Sequence, residues 1–178
     1  MSTLEKVASG NDVIGKDLKG KIENKEAVIG VIGLGYVGLP LAVDKAKAGY
    51  KVIGIDIQQE RVDMVSEGKN YIGDIADAEL DNLVKKEKIS ATTDYKKIKE
   101  VDVVAICVPS PLDQYKQPNI EYIEEATKDI AKELHRGMLL ILESTTYPGT
   151  TQEIVKPILE ETGLKCAEDF FLAFSPER

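Results

Sequence analysis

The sequence predicts an α/β fold, a doubly wound parallel sheet of six strands in the order 3-2-1-4-5-6. Three observations lead there. From residue 27 onward, short apolar runs alternate with helix-length segments, the pattern of strands joined by helical crossovers. Residues 101–108 are almost continuously apolar, as a parallel strand buried on both faces must be. Finally, an apolar run ending at Ile32 flows into Gly33-Leu34-Gly35-Tyr36-Val37-Gly38, and a second run ends on Asp56 after a helix-length stretch.

Taken in order, residues 1–26 are polar, and Gly10, Gly15 and Gly20 are expected to break any long helix there. This segment reads as an extension before a fold that occupies residues 27–178. The first strand (27–32) leads to a helix over 37–49, with Gly49 as its stop. The second strand (51–55) leads to a helix over 58–67, with Val62 and Val65 on one side. Residues 69–88 are polar with a helical part at 79–86, before a short third strand at 89–92 and a brief helix at 95–99. After the fourth strand, Ile120, Ile123, Ile130 and Leu134 fall at helical spacing. A fifth strand is expected at 138–142. A helix carrying Ile154, Val155, Ile158 and Leu159 follows, which Pro157 must kink or start. The sixth strand is 170–174. Right-handed crossovers put all strand C-termini on one edge, so the chemistry belongs to the segments leaving them. These are 33–38, Asp56, 109–111, 143–148 and 175–178.

The glycine loop carries a physical task at each position. Gly33 permits a tight turn out of the strand, Gly35 admits a pyrophosphate close to the backbone, and Gly38 allows close packing of the helix. The helix N-terminus offers N–H groups and partial positive charge to phosphates. Asp56 can accept hydrogen bonds from an adenosine ribose, and its charge opposes the 2′-phosphate of NADP. Ile57 supplies no compensating charge, so NAD is the expected cofactor. Arg61 either contacts the adenine end or lies exposed in the first turns of the next helix.

Composition bounds the alternatives. The chain has 178 residues, enough for one well-cored domain, and 43% hydrophobic with 30% charged residues is ordinary for a globular protein. Its net charge of −8 opposes a nucleic-acid or anionic-membrane partner. No apolar run reaches transmembrane length, and the N-terminus does not resemble a signal peptide. Cys107 and Cys166 form no metal-spaced set, so no metal site is expected, and reduced thiols point to the cytoplasm. Cys107 reads as core. His135, the single histidine, reads as a cap or surface residue.

The loops after strands four and five carry the remaining candidates. Pro109-Ser110-Pro111 is a stiff loop with one hydroxyl, suited to covering the nicotinamide half of a dinucleotide. Ser144, Thr145, Thr146 and Tyr147 can position a water or a substrate hydroxyl. They can equally cap the next helix, as can Thr150 or Thr151. From spacing alone Glu177 reads as a solvated residue.

Four stretches now stand in order: 33–42, 108–112, 143–151 and 174–178 (Phe-Ser-Pro-Glu-Arg). Across residues 27–178 they resemble the Rossmann-type N-terminal domain of the UDP-glucose/GDP-mannose dehydrogenase family. The Glu-Ser-Thr-Thr-Tyr-Pro-Gly-Thr-Thr run and the Pro-Glu-Arg ending look most like the branch acting on UDP-N-acetylglucosamine or related N-acetylhexosamines. The resemblance implies oxidation of a UDP-sugar C6 alcohol to a carboxylate through an aldehyde and a cysteine thioester, with two NAD reduced. It assigns Gly33, Gly35, Gly38, Asp56, Arg61, Ser110 (where the family often has Thr) and Thr145 to cofactor binding, and the adjoining Tyr36, Val37, Pro109 and Ser144 complete the candidate set. It assigns Thr145 to ordering a catalytic water and Glu177 to activating water against the thioester. The family's nucleophilic cysteine and its dimer-forming central helix lie beyond residue 178, and neither Cys107 nor Cys166 matches the nucleophile. The stretch therefore corresponds to the cofactor half of a homodimeric enzyme and is expected to be inactive by itself. The competing readings are a hydroxyacid-type dehydrogenase sharing the glycine loop and a stand-alone NAD-binding module.

Overall fold

A computed structural model describes residues 3–73, 75–111 and 118–175. Six strands, β1 (Val28–Ile32), β2 (Lys51–Ile55), β3 (Ile89–Thr92), β4 (Val103–Ile106), β5 (Leu139–Leu142) and β6 (Phe171–Phe174), pair in parallel as β3-β2-β1-β4-β5-β6. This is the order the sequence predicts. The helices are α1 (Thr3–Glu23), α2 (Gly38–Lys47), α3 (Gln59–Ser66), α4 (Asp77–Lys85), α5 (Glu121–Ala131) and α6 (Lys156–Glu160), with a 3₁₀ turn at Tyr95–Glu100.

The continuous apolar runs resolve into two faces. Ile29 and Val31 of β1, Val52 of β2, and Val103 and Ala105 of β4 pack into one layer with Leu39, Ala42 and Val43 of α2 and Leu80 of α4. Their neighbours Ile32, Ile53, Ile55, Val104 and Ile106 join the other layer with Ile123 and Ile130 of α5. Each strand thus alternates with period two between two dry faces, which explains why neither face of the run is polar.

Register fixes where the loops begin. Ile32 is paired with both Ile55 and Ile106, Ile106 with Leu142, and Leu142 with Phe174. The strand ends therefore form one row, and the segments leaving them start side by side.

Residues 3–23 depart from expectation: they form one helix despite three glycines. A helical glycine costs roughly 0.5–1 kcal/mol against alanine, a penalty that tertiary contacts outweigh here. Leu18 is buried and Ile22 packs against the same layer as β1 and α2. At Gly15 a Cβ would come within 3.5 Å of the Phe171 ring, so the helix lies close over the start of β6. Lys21 Nζ donates to Asp102 Oδ1 at 2.8 Å, and Asp102 Oδ2 accepts the Val28 N–H at 2.9 Å. Helix α1 thus lies along the edge where the strands begin.

Pro157 sits in the first turn of α6, and the preceding turn, Thr151–Val155, is widened to a π-helix. Proline supplies no N–H and crowds the carbonyl four residues back, so a wider turn there is the physical accommodation. Among the described residues no helix is long and apolar enough to cross a membrane.

Replacing Asp102 with alanine leaves the Val28 N–H without its acceptor and Lys21 without its partner. Asp102→Ala should lower the unfolding free energy in urea by about 1–3 kcal/mol, with circular dichroism of the folded chain unchanged.

Candidate dinucleotide site

Between β1 and β4 the chain runs off in opposite directions along the sheet, and a cleft of about 540 Å³ opens at the C-terminal edge. It brings together Gly33, Gly35, Tyr36, Val37, Asp56, Arg61, Pro109, Ser110, Ser144 and Thr145. Gly38 is buried behind the loop. Glu177 lies outside the described residues, so the structure gives it no position.

The three glycines are needed for three different reasons. Gly33 has φ +89°, and a Cβ there would sit 2.7 Å from the Cys107 carbonyl oxygen. At Gly38 a Cβ would fall 1.7 Å from the Gly33 carbonyl oxygen and 3.2 Å from Cys107 Cβ. Close packing at Gly38 is thus against the loop itself as well as the end of β4. Gly35 is different. Its φ lies outside the left-handed region, and the nearest atom to a Cβ is Arg61 Nη1 at 4.0 Å. Nothing in the protein demands glycine there, and the missing side chain leaves clear space in the cleft. Helix α2 starts beside it with no side-chain cap, and Pro40 in its first turn carries no N–H. The Leu39 and Leu41 N–H groups are taken by the Gly35 and Val37 carbonyls, each at 3.1 Å, so what the helix offers the cleft that Tyr36 and Val37 line is chiefly the positive end of its dipole.

Asp56 is only 4% exposed. Its Oδ2 accepts the Leu34 N–H at 2.7 Å and Arg61 Nη1 at 3.3 Å, and its Oδ1 accepts the Gln58 N–H at 2.9 Å. A carboxylate offers about four acceptor positions, so one remains on Oδ1 for a ribose hydroxyl. Arg61 lines the cleft from the first turn of α3, one-third exposed and ion-paired to Asp56. That pairing engages the cation a 2′-phosphate would need.

The loops after β4 and β5 are stitched together. The Ser144 hydroxyl, buried, donates to the Val108 carbonyl at 2.8 Å, and the Ser110 hydroxyl donates to the Thr145 carbonyl. Thr145 itself is exposed at the cleft. The Thr150 hydroxyl donates to the Tyr147 carbonyl at 2.9 Å and meets Thr146 Oγ1 at 2.8 Å. Thr150 sits at the N-cap position, but its side chain makes no cap bond, so the capping alternative is not taken there. Cys107 is buried as expected, and it also contributes to the floor of the cleft. His135 lies at the opposite edge, with Nε2 2.9 Å from the Val101 carbonyl oxygen and Nδ1 3.1 Å from that of Arg136.

Sequence reasoning missed the far wall, built from Tyr95, Tyr122, Glu125, Ala126 and Asp129. Burial, reinforced by Asp129, Asp56 and Glu125, pushes the Tyr95 phenol up to about 12, so it is a neutral hydrogen-bond donor at ordinary pH. A signal was available: residues 122, 125, 126 and 129 fall at i, i+3, i+4 and i+7 of α5, on one helix face. The apolar spacing of Ile123 and Ile130 draws attention to the other face.

A switch-point cleft, a glycine loop held clear of side chains, a helix dipole aimed at that loop and an acid with a spare acceptor define a dinucleotide-binding domain. Residues 27–178 match the model of the UDP-glucose/GDP-mannose dehydrogenase family, NAD binding domain, and the chain belongs to that family as its NAD-binding domain. A UDP-N-acetyl-D-glucosamine 6-dehydrogenase from Pseudomonas aeruginosa is 39% identical over 155 residues, covering 86% of this chain and 36% of that protein. A UDP-N-acetyl-D-mannosamine dehydrogenase from Campylobacter jejuni is 42% identical, covering 83% and 38%. The solved structure of a UDP-D-ManNAc dehydrogenase from Pyrococcus horikoshii superposes with a TM-score of 0.80 at 38% identity, covering 85% of this chain and 36% of that one. The chain thus spans somewhat over a third of the length of these relatives. Membership of this family favours the nucleotide-sugar reading over a hydroxyacid-type dehydrogenase.

Because protein packing leaves Gly35 unconstrained, Gly35→Val should keep the parental circular dichroism and urea midpoint. Calorimetric titration should show NAD affinity reduced by a factor of 100 or more (about 2.7 kcal/mol), since the isopropyl group fills the space beside the pyrophosphate.

Proposed function

We propose that this domain presents NAD to the C6 alcohol of a UDP-sugar, of the N-acetylhexosamine type, within a nucleotide-sugar 6-dehydrogenase. The single observation carrying the cofactor part is the clear space at Gly35, at the positive end of the α2 dipole and next to the spare acceptor on Asp56. In this reading the loop 33–38 and α2 hold the pyrophosphate, Asp56 takes the adenosine ribose, and Arg61 backs that carboxylate. The stitched loops carrying Pro109, Ser110, Ser144 and Thr145 flank the nicotinamide half. NAD supplies the hydride acceptor when bound. Thr145 orders a water there, and Glu177 removes a proton from the water that hydrolyses the enzyme-bound acyl group. The substrate class rests on the relatives, which are named for N-acetylated hexosamines joined to UDP. Such products feed surface-polysaccharide synthesis. We place the protein in the cytoplasm and infer a homodimer for the whole enzyme.

Asp56 sets the cofactor preference. A 2′-phosphate would meet this nearly buried carboxylate, a like-charge contact worth about 1–3 kcal/mol of discrimination. Calorimetry should therefore show NAD bound more tightly than NADP, with Asp56→Ala narrowing the gap. Equal or tighter binding of NADP by the parent would overturn this reading.

The substrate assignment is tested on the complete gene product with UDP-N-acetylglucosamine and UDP-glucose. NADH formation with the N-acetylated sugar is expected, and its absence with both sugars would favour a stand-alone binding module. In that product Glu177→Gln should give a fast partial burst of NADH, then turnover slowed about 10²–10⁴-fold, with a covalent sugar adduct visible by intact mass. Parental turnover without an adduct would return Glu177 to a solvated surface position.

A further inference from the structure

We propose that Tyr71, which is absent from the cleft's lining, is a positioning residue that clamps Leu34 and thereby aims the glycine loop at the cofactor diphosphate. The proposal rests on the reading that NAD lies on this loop. Leu34 is the residue the glycine motif leaves unspecified, yet it is anchored in three ways. Its side chain is fully buried against Gly54 of β2, where a Cβ would come within 2.7 Å of Leu34 Cδ2. Its N–H donates to Asp56 Oδ2 at 2.7 Å. Its carbonyl accepts from the Tyr71 hydroxyl at 2.6 Å, a bond between residues 37 apart in the chain.

The third anchor has a directional consequence. In a trans peptide the carbonyl and the following N–H point opposite ways, and this chain has no cis peptide bond among the described residues. Pinning the Leu34 carbonyl on Tyr71 turns the Gly35 N–H to the other side, and Gly35 lines the cleft. That N–H is a donor of the kind a phosphate oxygen accepts. Asp56 fixes one peptide plane of the loop and Tyr71 fixes the next. Without the phenol the 34–35 peptide is free to rotate, and the donor loses its aim.

Tyr71 is itself held. Asn70 Oδ1 accepts the Ile72 N–H at 2.9 Å, and Asn70 Nδ2 donates to the Ile75 carbonyl at 2.6 Å, so the residue before Tyr71 is tied to the one after it and to Ile75. Burial, with the nearby Asp56 charge, pushes the phenol up to about 12, which keeps it a donor across the working pH range.

Tyr50, whose hydroxyl accepts from Lys25 Nζ at 3.0 Å, provides a comparison away from the cleft. Its hydroxyl also donates to a main-chain carbonyl, that of Ile22 at 2.9 Å, but at the edge where the strands begin. The test compares Tyr71→Phe and Tyr50→Phe in this chain, titrating NAD and ADP calorimetrically where circular dichroism shows both variants folded. Tyr71→Phe should weaken both ligands at least threefold, the size of one neutral hydrogen bond. Tyr50→Phe should lower the urea midpoint and leave both affinities within threefold of the parent. A Tyr71→Phe chain that binds within threefold of the parent overturns the proposal. So does an equal loss of affinity in Tyr50→Phe, because a merely structural phenol would act alike at both places. A parent chain that binds no NAD overturns the underlying reading instead, and that failure is visible before any variant is made.

Discussion

The parallel register of β1 with both β2 and β4 is the constraint from which the site follows. Ile32 faces Ile55 on one side and Ile106 on the other, so Gly33, Asp56 and Cys107 leave the sheet abreast. The backbone continues this row for one more bond on each side, Gly33 N–H to the Ile55 carbonyl at 2.8 Å and Cys107 N–H to the Ile32 carbonyl at 2.8 Å. A slip of one residue would turn every side chain of a strand to the other layer, and both layers are buried, so the register has no tolerated alternative. The cleft is therefore a by-product of core packing. The loop chemistry decorates a geometry that Val, Ile and Leu already impose.

The fold was legible because its signals are local or periodic. Residues 29–32 and 103–106 announce buried parallel strands by composition, and the spacing from Gly33 to Asp56 announces the first crossover with its ligand. The site was legible only where one residue type serves one purpose, as at Gly33 and Asp56. The part played by Arg61 was not legible: the sequence leaves both contact and exposure open, and only the fold shows the guanidinium spent on a carboxylate five residues back. The far wall was hidden for another reason. Tyr122, Glu125 and Asp129 share α5 with the apolar stripe of Ile123 and Ile130, and the stripe dominates any periodicity count. Helix α1 is not legible because local propensity carries no information about its partners. Gly10, Gly15 and Gly20 weaken a helix in water, and docking of Leu18 and Ile22 outweighs them.

The hydroxyl-bearing loops divide labour in a way composition does not foretell. Ser144 and Ser110 spend their hydroxyls tying the β4 and β5 loops to one another, and Thr150 spends its own on Tyr147. Thr145 is exposed at the cleft with its carbonyl already engaged from below. A cluster of Ser and Thr thus becomes a rigid shelf that presents few of its own hydroxyls.

Helix α1 has some of its partners late in the chain. Lys21 reaches Asp102, 81 residues on, and Gly15 lies against Phe171. The helix is synthesised before any of the surfaces it rests on, and with three glycines it is a weak helix alone. It rests partly on β1 and α2, close by in the chain, and partly on β4 and β6, so its docking is complete only when those late strands have joined the sheet. The helix is made before the surfaces that secure it, and the Lys21–Asp102 pair forms only once β4 is in place.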